Sequence, residues 1–97
     1  VVTAGFEIDL GSAIVTRDGQ QVRLTPTEYH LLEVLARHPG RMVAQQTLLL
    51  EVWGPGYEKE THYLRVYMAQ LRRKLEVDPS APRHLITEPG LGYRLDP

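Results

Sequence analysis

With 97 residues and a formal net charge of −1, the chain is the size of one small domain, which we place at residues 1–97. Its 42% hydrophobic and 24% charged residues are typical of a globular protein and exclude a disordered one. The absence of cysteine excludes disulfides, thiol catalysis and cysteine-based metal sites, and it suits a reducing cytoplasm. No apolar run approaches membrane-spanning length, so we expect a cytoplasmic protein without a membrane partner.

The charge is unevenly distributed along the chain. Residues 1–60 carry five Lys/Arg and eight Asp/Glu, a balance of −3, whereas residues 61–97 carry six and four, a balance of +2. Residues 61–74 hold four basic side chains and no acid. A local basic stripe can bind phosphate whatever the total charge, although a solvated helix face is an alternative interpretation of such a stripe.

The first 24 residues predict three short antiparallel strands. Phe6, Ile8 and Leu10 alternate with acidic residues, which is the period of a half-buried strand. An extended run follows from residue 13 to residue 16. Asp18-Gly19 is a strong hairpin signal, and Val22 and Leu24 then alternate with a polar residue.

A first helix begins at Thr25, which can be the N-cap, with Pro26 at the first helical position. Glu28 stands three residues after Thr25 and completes a capping box. Leucines over 31–35 supply an apolar face, and Pro39-Gly40 stops the helix.

Two more helices and a hairpin complete the predicted order. Residues 41–43 predict a short fourth strand, and residues 45–53 a second helix whose cap position holds Ala44, so we expect its start to be frayed or water-capped. A third helix begins near Glu60 or Thr61. After the break "DPSAP", the segments "RHLITE" and "YRL" predict two strands joined by the turn "PGLG".

A helical wheel divides the third helix into two faces. One face is a narrow apolar stripe of Leu64, Met68, Leu71 and Leu75. The opposite face carries His62, Val66, Ala69, Gln70 and Arg73. Its flanks hold Arg65 and Arg72 on one side and Tyr63, Tyr67 and Lys74 on the other.

The outer face of this helix has the chemistry of a DNA-reading surface. Gln70 can bond an adenine edge, Arg73 a guanine edge, and Val66 can touch a thymine methyl group. Tyrosine and basic side chains on the flanks suit phosphate contacts. Two short helices followed by a β-hairpin predict a helix-turn-helix with a wing, the second helix of the pair entering the major groove.

The chain resembles the DNA-binding effector domains of the OmpR/PhoB family of bacterial two-component response regulators. The resemblance covers residues 6–95 and rests on "LTPTEYHLLEVLARHPGRMV", "LLLEVWG", "LRVYMAQLRRKLE" and "ITEPGLGYRL" in this order. Within the family, "HYLRVYMAQLRRKLE" and "DPSAPRHLITEPGLGYR" look closest to regulators of potassium-transport operons. The resemblance implies an α+β winged helix-turn-helix with an N-terminal antiparallel four-stranded sheet, three helices and a C-terminal β-hairpin wing.

The resemblance also implies roles for particular residues. The third helix would read the major groove, and Trp53, Thr61 and Thr87 would contact the DNA backbone. The loop of Pro55, Gly56, Tyr57, Glu58 and Lys59 would contact RNA polymerase.

Two positions depart from the family pattern. The wing tip holds Pro89 after Glu88 where an arginine is usual, so Arg83, His84 or Arg94 would have to supply any wing charge. Ala69 replaces a frequent basic residue, which implies fewer base contacts and more discrimination by DNA shape.

The resemblance further implies partners outside this chain. Family members bind direct repeats in promoter DNA as head-to-tail homodimers, promoted by a receiver domain that a cognate sensor histidine kinase phosphorylates. The receiver domain is absent from this chain.

Other classes of site find little support in the sequence. The four histidines lack zinc-like spacing, so we expect no metal and no cofactor. No nucleophile, base and orienting group form a catalytic signature, so we expect no enzyme. A winged-helix module that binds an acidic protein partner stays open as an alternative, which salt dependence and competition by specific DNA would separate from DNA binding.

Overall fold

A computed structural model describes all residues from Val1 to Pro97, and its fold is an α+β winged helix. Nine elements follow one another in the order predicted from the sequence. They are β1 (Glu7–Asp9), β2 (Ile14–Arg17), β3 (Gln20–Gln21), α1 (Pro26–Ala36), β4 (Val43–Ala44), α2 (Gln45–Trp53), α3 (Thr61–Leu75), β5 (Leu85–Glu88) and β6 (Gly92–Leu95).

The N-terminal strands form the predicted antiparallel meander, β1-β2-β3. Ile8 pairs with Val15 and Arg17 pairs with Gln20. The turn between β2 and β3 has φ of 53° at Asp18 and 77° at Gly19, which matches the left-handed conformation that an Asp-Gly hairpin favours. The third strand lies at residues 20–21, just before the alternation over residues 22–24 that predicted it, so its predicted position is wrong by about two residues.

The expected four-stranded N-terminal sheet is wrong, because the fourth strand joins the wing instead. The second sheet has the order β4-β6-β5, with Val43 paired to Tyr93 and Ala44 to Gly92. A Cβ atom on Gly92 would overlap the Val43 carbonyl, so only glycine allows this close approach of the two backbones. The fold therefore has two three-stranded sheets, and the second combines β4, which lies between α1 and α2 in sequence, with the C-terminal hairpin.

The capping box of α1 is confirmed. The Glu28 N–H donates to Thr25 Oγ1 at 3.2 Å, and the Thr25 N–H donates to Glu28 Oε1 at 2.8 Å. Pro26 occupies the first turn, where its missing N–H costs nothing. The helix ends at Ala36, three residues before the Pro39-Gly40 pair that the sequence marks as the stop.

The start of α2 is held by the wing. Ala44 provides no side-chain cap, as expected, but the Gln45 N–H donates to the Leu91 carbonyl at 3.0 Å. This bond satisfies one of the free donors at the helix start, so the expectation of a frayed or water-capped start does not hold for that donor. The turn of the wing is thereby fixed against α2.

One apolar core joins the helices to both sheets. Leu64, Met68 and Leu71 of α3 are 0% exposed, which confirms the apolar stripe predicted by the wheel. Full burial of a side chain of this size stabilises the fold by roughly 1.5–3 kcal/mol. None of the three helices combines the length and apolar character needed to cross a bilayer.

Candidate nucleic-acid interface

The outer face of α3 is open to solvent. His62, Arg65, Val66 and Arg73 are exposed, and Val66 is 50% exposed although it is apolar. Ala69 and Gln70, predicted on the same face, are half-buried. The structure thus places the predicted reading residues along one side of α3, opposite its core stripe.

The first turns of α3 rest on aromatic rings. The Trp53 ring lies 5.6 Å from the ring of Tyr63 and 5.3 Å from that of Tyr67, centroid to centroid. The Tyr63 ring also lies 6.1 Å from that of Tyr57 and 4.6 Å from the imidazole of His62. Packed rings at these distances add roughly 0.5–1.5 kcal/mol per pair beyond their burial. This aromatic cluster therefore orients the start of the outer face.

The α3 start carries weaker polar interactions. Glu60, the N-cap residue, makes no side-chain capping bond, and its Oε2 lies 3.5 Å from His62 Nδ1. Thr61, the first residue of α3, is half-buried.

Arg72 connects α3 to the wing. Its Nε donates to the Leu85 carbonyl at 2.9 Å, and its Nη2 donates to Thr87 Oγ1 at 2.7 Å. Burial lowers the pKa of the Arg72 guanidinium, although Tyr93 and Glu76 act in the opposite direction. The wheel places Arg72 on a flank suited to phosphate contacts, and in the structure two of its N–H groups bond β5.

Lys74 also has partners within the protein. Its Nζ lies 2.6 Å from Glu28 Oε1 and 3.1 Å from the Arg23 carbonyl. Burial alone would raise the pKa of the Glu28 carboxyl, but hydrogen bonds from Lys74 and Thr25 outweigh it and lower that pKa below its usual range. The wheel places Lys74 on a flank suited to phosphate, and in the structure its ammonium group pairs with a buried acid of α1.

Glu76 follows α3 and holds the start of the wing. Its carboxylate accepts the N–H groups of Arg83 at 3.0 Å, His84 at 2.9 Å and Leu85 at 2.7 Å. The residue is 3% exposed, and burial would raise the pKa of the carboxyl. Donation by the three backbone N–H groups and the nearby His84 reverse this effect and lower the pKa.

The charges predicted for the wing are in different environments. His84 is 8% exposed, its Nδ1 lies 2.9 Å from the Asp96 carbonyl, and its ring contacts Phe6, so it is not available as a surface cation. Arg94 forms an ion pair with Glu88. Arg83 is exposed. The wing tip at Pro89 is exposed and carries no cation of its own.

The loop between α2 and α3 is solvent-exposed over residues 55–59. The Gly56 N–H donates to Glu58 Oε1 at 3.2 Å, and the Glu60 N–H donates to the Tyr57 carbonyl at 2.9 Å. Tyr57 is 39% exposed and packs one side of its ring against Tyr63. The loop therefore offers an exposed edge beside the first turn of α3.

The long-range side-chain contacts of Glu28, Arg72 and Glu76 were not anticipated. Each joins residues more than eight positions apart, or a side chain to a distant backbone group, and local spacing does not encode such pairs. The one available signal was the buried position of Glu28 on an apolar helix face, which demands a cationic partner. The histidines are not brought together with acidic residues into a group that could hold a metal ion.

Comparison with known proteins assigns the family. Residues 19–95 match the model described as "Transcriptional regulatory protein, C terminal". The chain is 58% identical over 96 residues to the transcriptional regulatory protein KdpE of Mycobacterium tuberculosis, covering 99% of this chain and 42% of that protein. It is 49% identical over 87 residues to the KDP operon transcriptional regulatory protein KdpE of Escherichia coli, covering 90% of this chain and 39% of that protein. The chain therefore spans about two fifths of the length of these curated relatives.

Solved structures show the same fold. The response regulator DrrB of Thermotoga maritima, described as an OmpR/PhoB homologue, superposes with a TM-score of 0.90 at 25% identity, covering all of this chain and 44% of DrrB. The DNA-binding domain of Klebsiella pneumoniae RstA, solved in complex with the RstA box, superposes with a TM-score of 0.86 at 25% identity, covering 99% of this chain and 95% of that domain. The chain belongs to the family of C-terminal DNA-binding output domains of OmpR/PhoB-type response regulators, which regulate transcription.

Proposed function

We propose that this domain binds double-stranded promoter DNA sequence-specifically, with the outer face of α3 in the major groove and the wing beside it. The observation that carries this proposal is an exposed helix face that has no acidic residue between positions 61 and 75. Arg65 and Arg73 lie exposed on it, and DNA phosphates and guanine edges are the partners that such arginines suit. The RstA domain, solved with its DNA box, supports the same use of this fold.

The proposed contacts divide into base reading and backbone positioning. Gln70, Arg73 and Val66 read base edges, with His62 at the helix start, while the small Ala69 lets the helix approach closely. The backbone contacts come from residues around this face, namely Trp53, Thr61, Tyr63, Arg65, Tyr67, Arg83 and Thr87. Arg94 is paired with Glu88 and contributes less free charge.

For the whole protein, we propose control of a kdp-like potassium-transport operon, as the similarity to KdpE supports. The protein would act in the cytoplasm as a homodimer on direct repeats, with a receiver domain phosphorylated by a sensor histidine kinase. The exposed loop from Pro55 to Lys59 would contact RNA polymerase.

A selection of bound duplexes from random DNA tests the central proposal. We expect one enriched sequence motif, bound in preference to random DNA at physiological salt, with an affinity that falls steeply as salt rises. Equal and weak binding of selected and random duplexes would contradict sequence-specific recognition. Tight binding of an acidic protein without DNA binding would favour the protein-interaction alternative.

Two arginine variants test the assignment of roles. Arg73→Ala should reduce discrimination between bases at one position of the site by ~1–3 kcal/mol. Arg65→Ala should weaken binding to all DNA sequences alike and should reduce the slope of log affinity against log salt concentration by about 1. The matched control is Arg37→Ala, since Arg37 is an exposed arginine at the end of α1 that pairs with Glu33 at 3.2 Å. Identical losses on all sequences for Arg73→Ala would contradict its base-reading role.

A further inference from the structure

The Thr87 hydroxyl is held by a charged group of the neighbouring helix. Thr87 is exposed on β5, and its Oγ1 accepts a hydrogen bond of 2.7 Å from Arg72 Nη2. The same guanidinium donates through Nε to the Leu85 carbonyl, two residues earlier on β5. The planar fork of Arg72 therefore fixes both the strand and the hydroxyl relative to α3.

The chemistry of a hydroxyl group then fixes what Thr87 can do. A threonine hydroxyl has one O–H donor and two acceptor lone pairs. The Arg72 N–H group occupies the acceptor side, so the O–H hydrogen points away from Arg72, and Thr87 makes its one side-chain hydrogen bond as an acceptor. A positively charged neighbour also polarises the O–H bond and makes it a stronger donor.

We propose that Arg72 is a positioning residue for DNA binding, which orients the Thr87 hydroxyl so that its O–H group donates to a backbone phosphate. The inference rests on the proposed function, since it requires the outer face of α3 to meet DNA. The phosphate diester suits this donor because its unesterified oxygens are ionised and only accept hydrogen bonds. Thr87 is exposed on β5 and is bonded to Arg72, which lies on a flank of the outer face of α3.

Direct phosphate binding is a poorer assignment for Arg72 itself. Two of its five N–H donors are used on β5, and the side chain is half-buried, with burial lowering the pKa of its guanidinium. Arg65 and Arg73, on the same helix, are exposed and supply free cations. Arg72 therefore affects DNA binding indirectly, because its bonds orient the Thr87 hydroxyl and fix the wing relative to α3.

A double-mutant cycle on the full chain tests this mechanism, with a duplex selected from random DNA by the wild type as the probe. Thr87→Val keeps the shape but removes the donor, and Arg72→Gln removes the charged fork. We expect each single change to weaken binding roughly tenfold, and the double change to cost no more than the larger single one. Thr87→Ser keeps the hydroxyl and should bind like the wild type.

The salt slope separates the two roles of Arg72. A direct phosphate contact would make Arg72→Gln reduce the slope of log affinity against log salt by about 0.9, whereas a positioning role leaves the slope close to that of the wild type. Additive losses in the cycle, or the reduced slope, would overturn the proposal. If Arg72→Gln does not fold, equal affinities of Thr87→Val and Thr87→Ser would overturn it. A wild type without salt-dependent DNA preference would overturn the proposed function as well.

Discussion

The two halves of α3 are held in the fold by different forces. The aromatic half, residues 61–67, packs Tyr63 and Tyr67 on the Trp53 ring at 5.6 and 5.3 Å. The polar half, residues 71–75 together with the C-cap residue Glu76, uses charged side chains to bond groups from other elements of the fold. Lys74 reaches Glu28 of α1, and Glu76 receives three backbone N–H groups at the start of the wing.

This difference changes the meaning of the basic stripe. Of the four basic residues between positions 61 and 74, Arg72 and Lys74 bond groups of the fold, while Arg65 and Arg73 are exposed. The concentration of positive charge therefore serves both the assembly of the domain and the proposed DNA contact. Two of the four basic residues therefore stabilise the fold around the proposed DNA-binding surface.

Low pH should reduce the free energy of unfolding more than any of the substitutions below. It protonates both Glu28 and Glu76, the two buried carboxylates that the polar half of α3 involves. Both have a folded-state pKa below the ordinary value of a glutamate carboxyl, so their contribution is complete above that ordinary value and is lost as pH falls through the folded-state pKa. Urea unfolding at decreasing pH should show the free energy of unfolding falling in this window.

A pair of variants assigns this loss to the buried carboxylates. Glu76→Gln should flatten the acid dependence more than Asp78→Asn, in which an exposed carboxyl with a lowered pKa is removed. Equal flattening by the two variants would mean that burial at the end of α3 is irrelevant to the acid transition.

Glu76→Ala should be the most destabilising substitution of a charged residue in the polar half, by about 3 kcal/mol, because it leaves buried backbone donors without an acceptor. Chemical denaturation measures the loss, and Glu51→Ala, at an exposed position of α2, is the control and should change stability little. If Glu76→Ala lowers the free energy of unfolding no more than an ordinary surface substitution does, water accepts the backbone hydrogen bonds in place of the carboxylate.

Much of the fold follows from local signals in the sequence. The capping box at Thr25 and the Asp18-Gly19 turn are determined by neighbouring residues, and both are observed as predicted. The core stripe of α3 follows from helical periodicity alone. The order of elements was therefore accessible without any tertiary information.

Pairings between distant segments were less accessible. The strand Val43–Ala44 joins β6 because Gly92 allows a close approach, and nothing near residue 43 indicates that partner. Likewise, the wheel assigns Lys74 to an open flank, because a wheel treats the helix alone and cannot include Glu28 from α1. The exposed outer face of α3 could be predicted, whereas the partners of its flanks required the folded structure.

Lys74→Met should cost about 1–2 kcal/mol of stability, because it leaves the Glu28 carboxylate buried without its cation. This is less than for a fully buried pair, since the Lys74 side chain is 36% exposed. The slope of DNA affinity against salt should change less than for Arg65→Met, which removes an exposed cation. Equal changes of the slope for the two variants would indicate that Lys74 contacts a DNA phosphate as Arg65 does.

Tyr63→Leu tests the aromatic half, with an expected loss of about 1 kcal/mol from the lost ring contacts. Tyr63 lies between Trp53, Tyr57 and His62, so its removal should loosen the loop and the first reading residue together. Trp53 is the single tryptophan of the chain and reports the change directly, as a shift of its fluorescence toward the emission of a hydrated indole.

The matched control for this variant is Tyr57→Leu, which removes the outer ring of the same cluster. Tyr57 is 39% exposed and contacts Tyr63 but not Trp53, so its loss should leave the tryptophan emission nearly unchanged. If both leucine variants shift the emission equally, Trp53 responds to the outer ring as strongly as to Tyr63, and the shift cannot be assigned to the Tyr63 contact. If only Tyr63→Leu shifts it and also weakens DNA binding, the aromatic half positions the start of the reading face as the polar half positions its end.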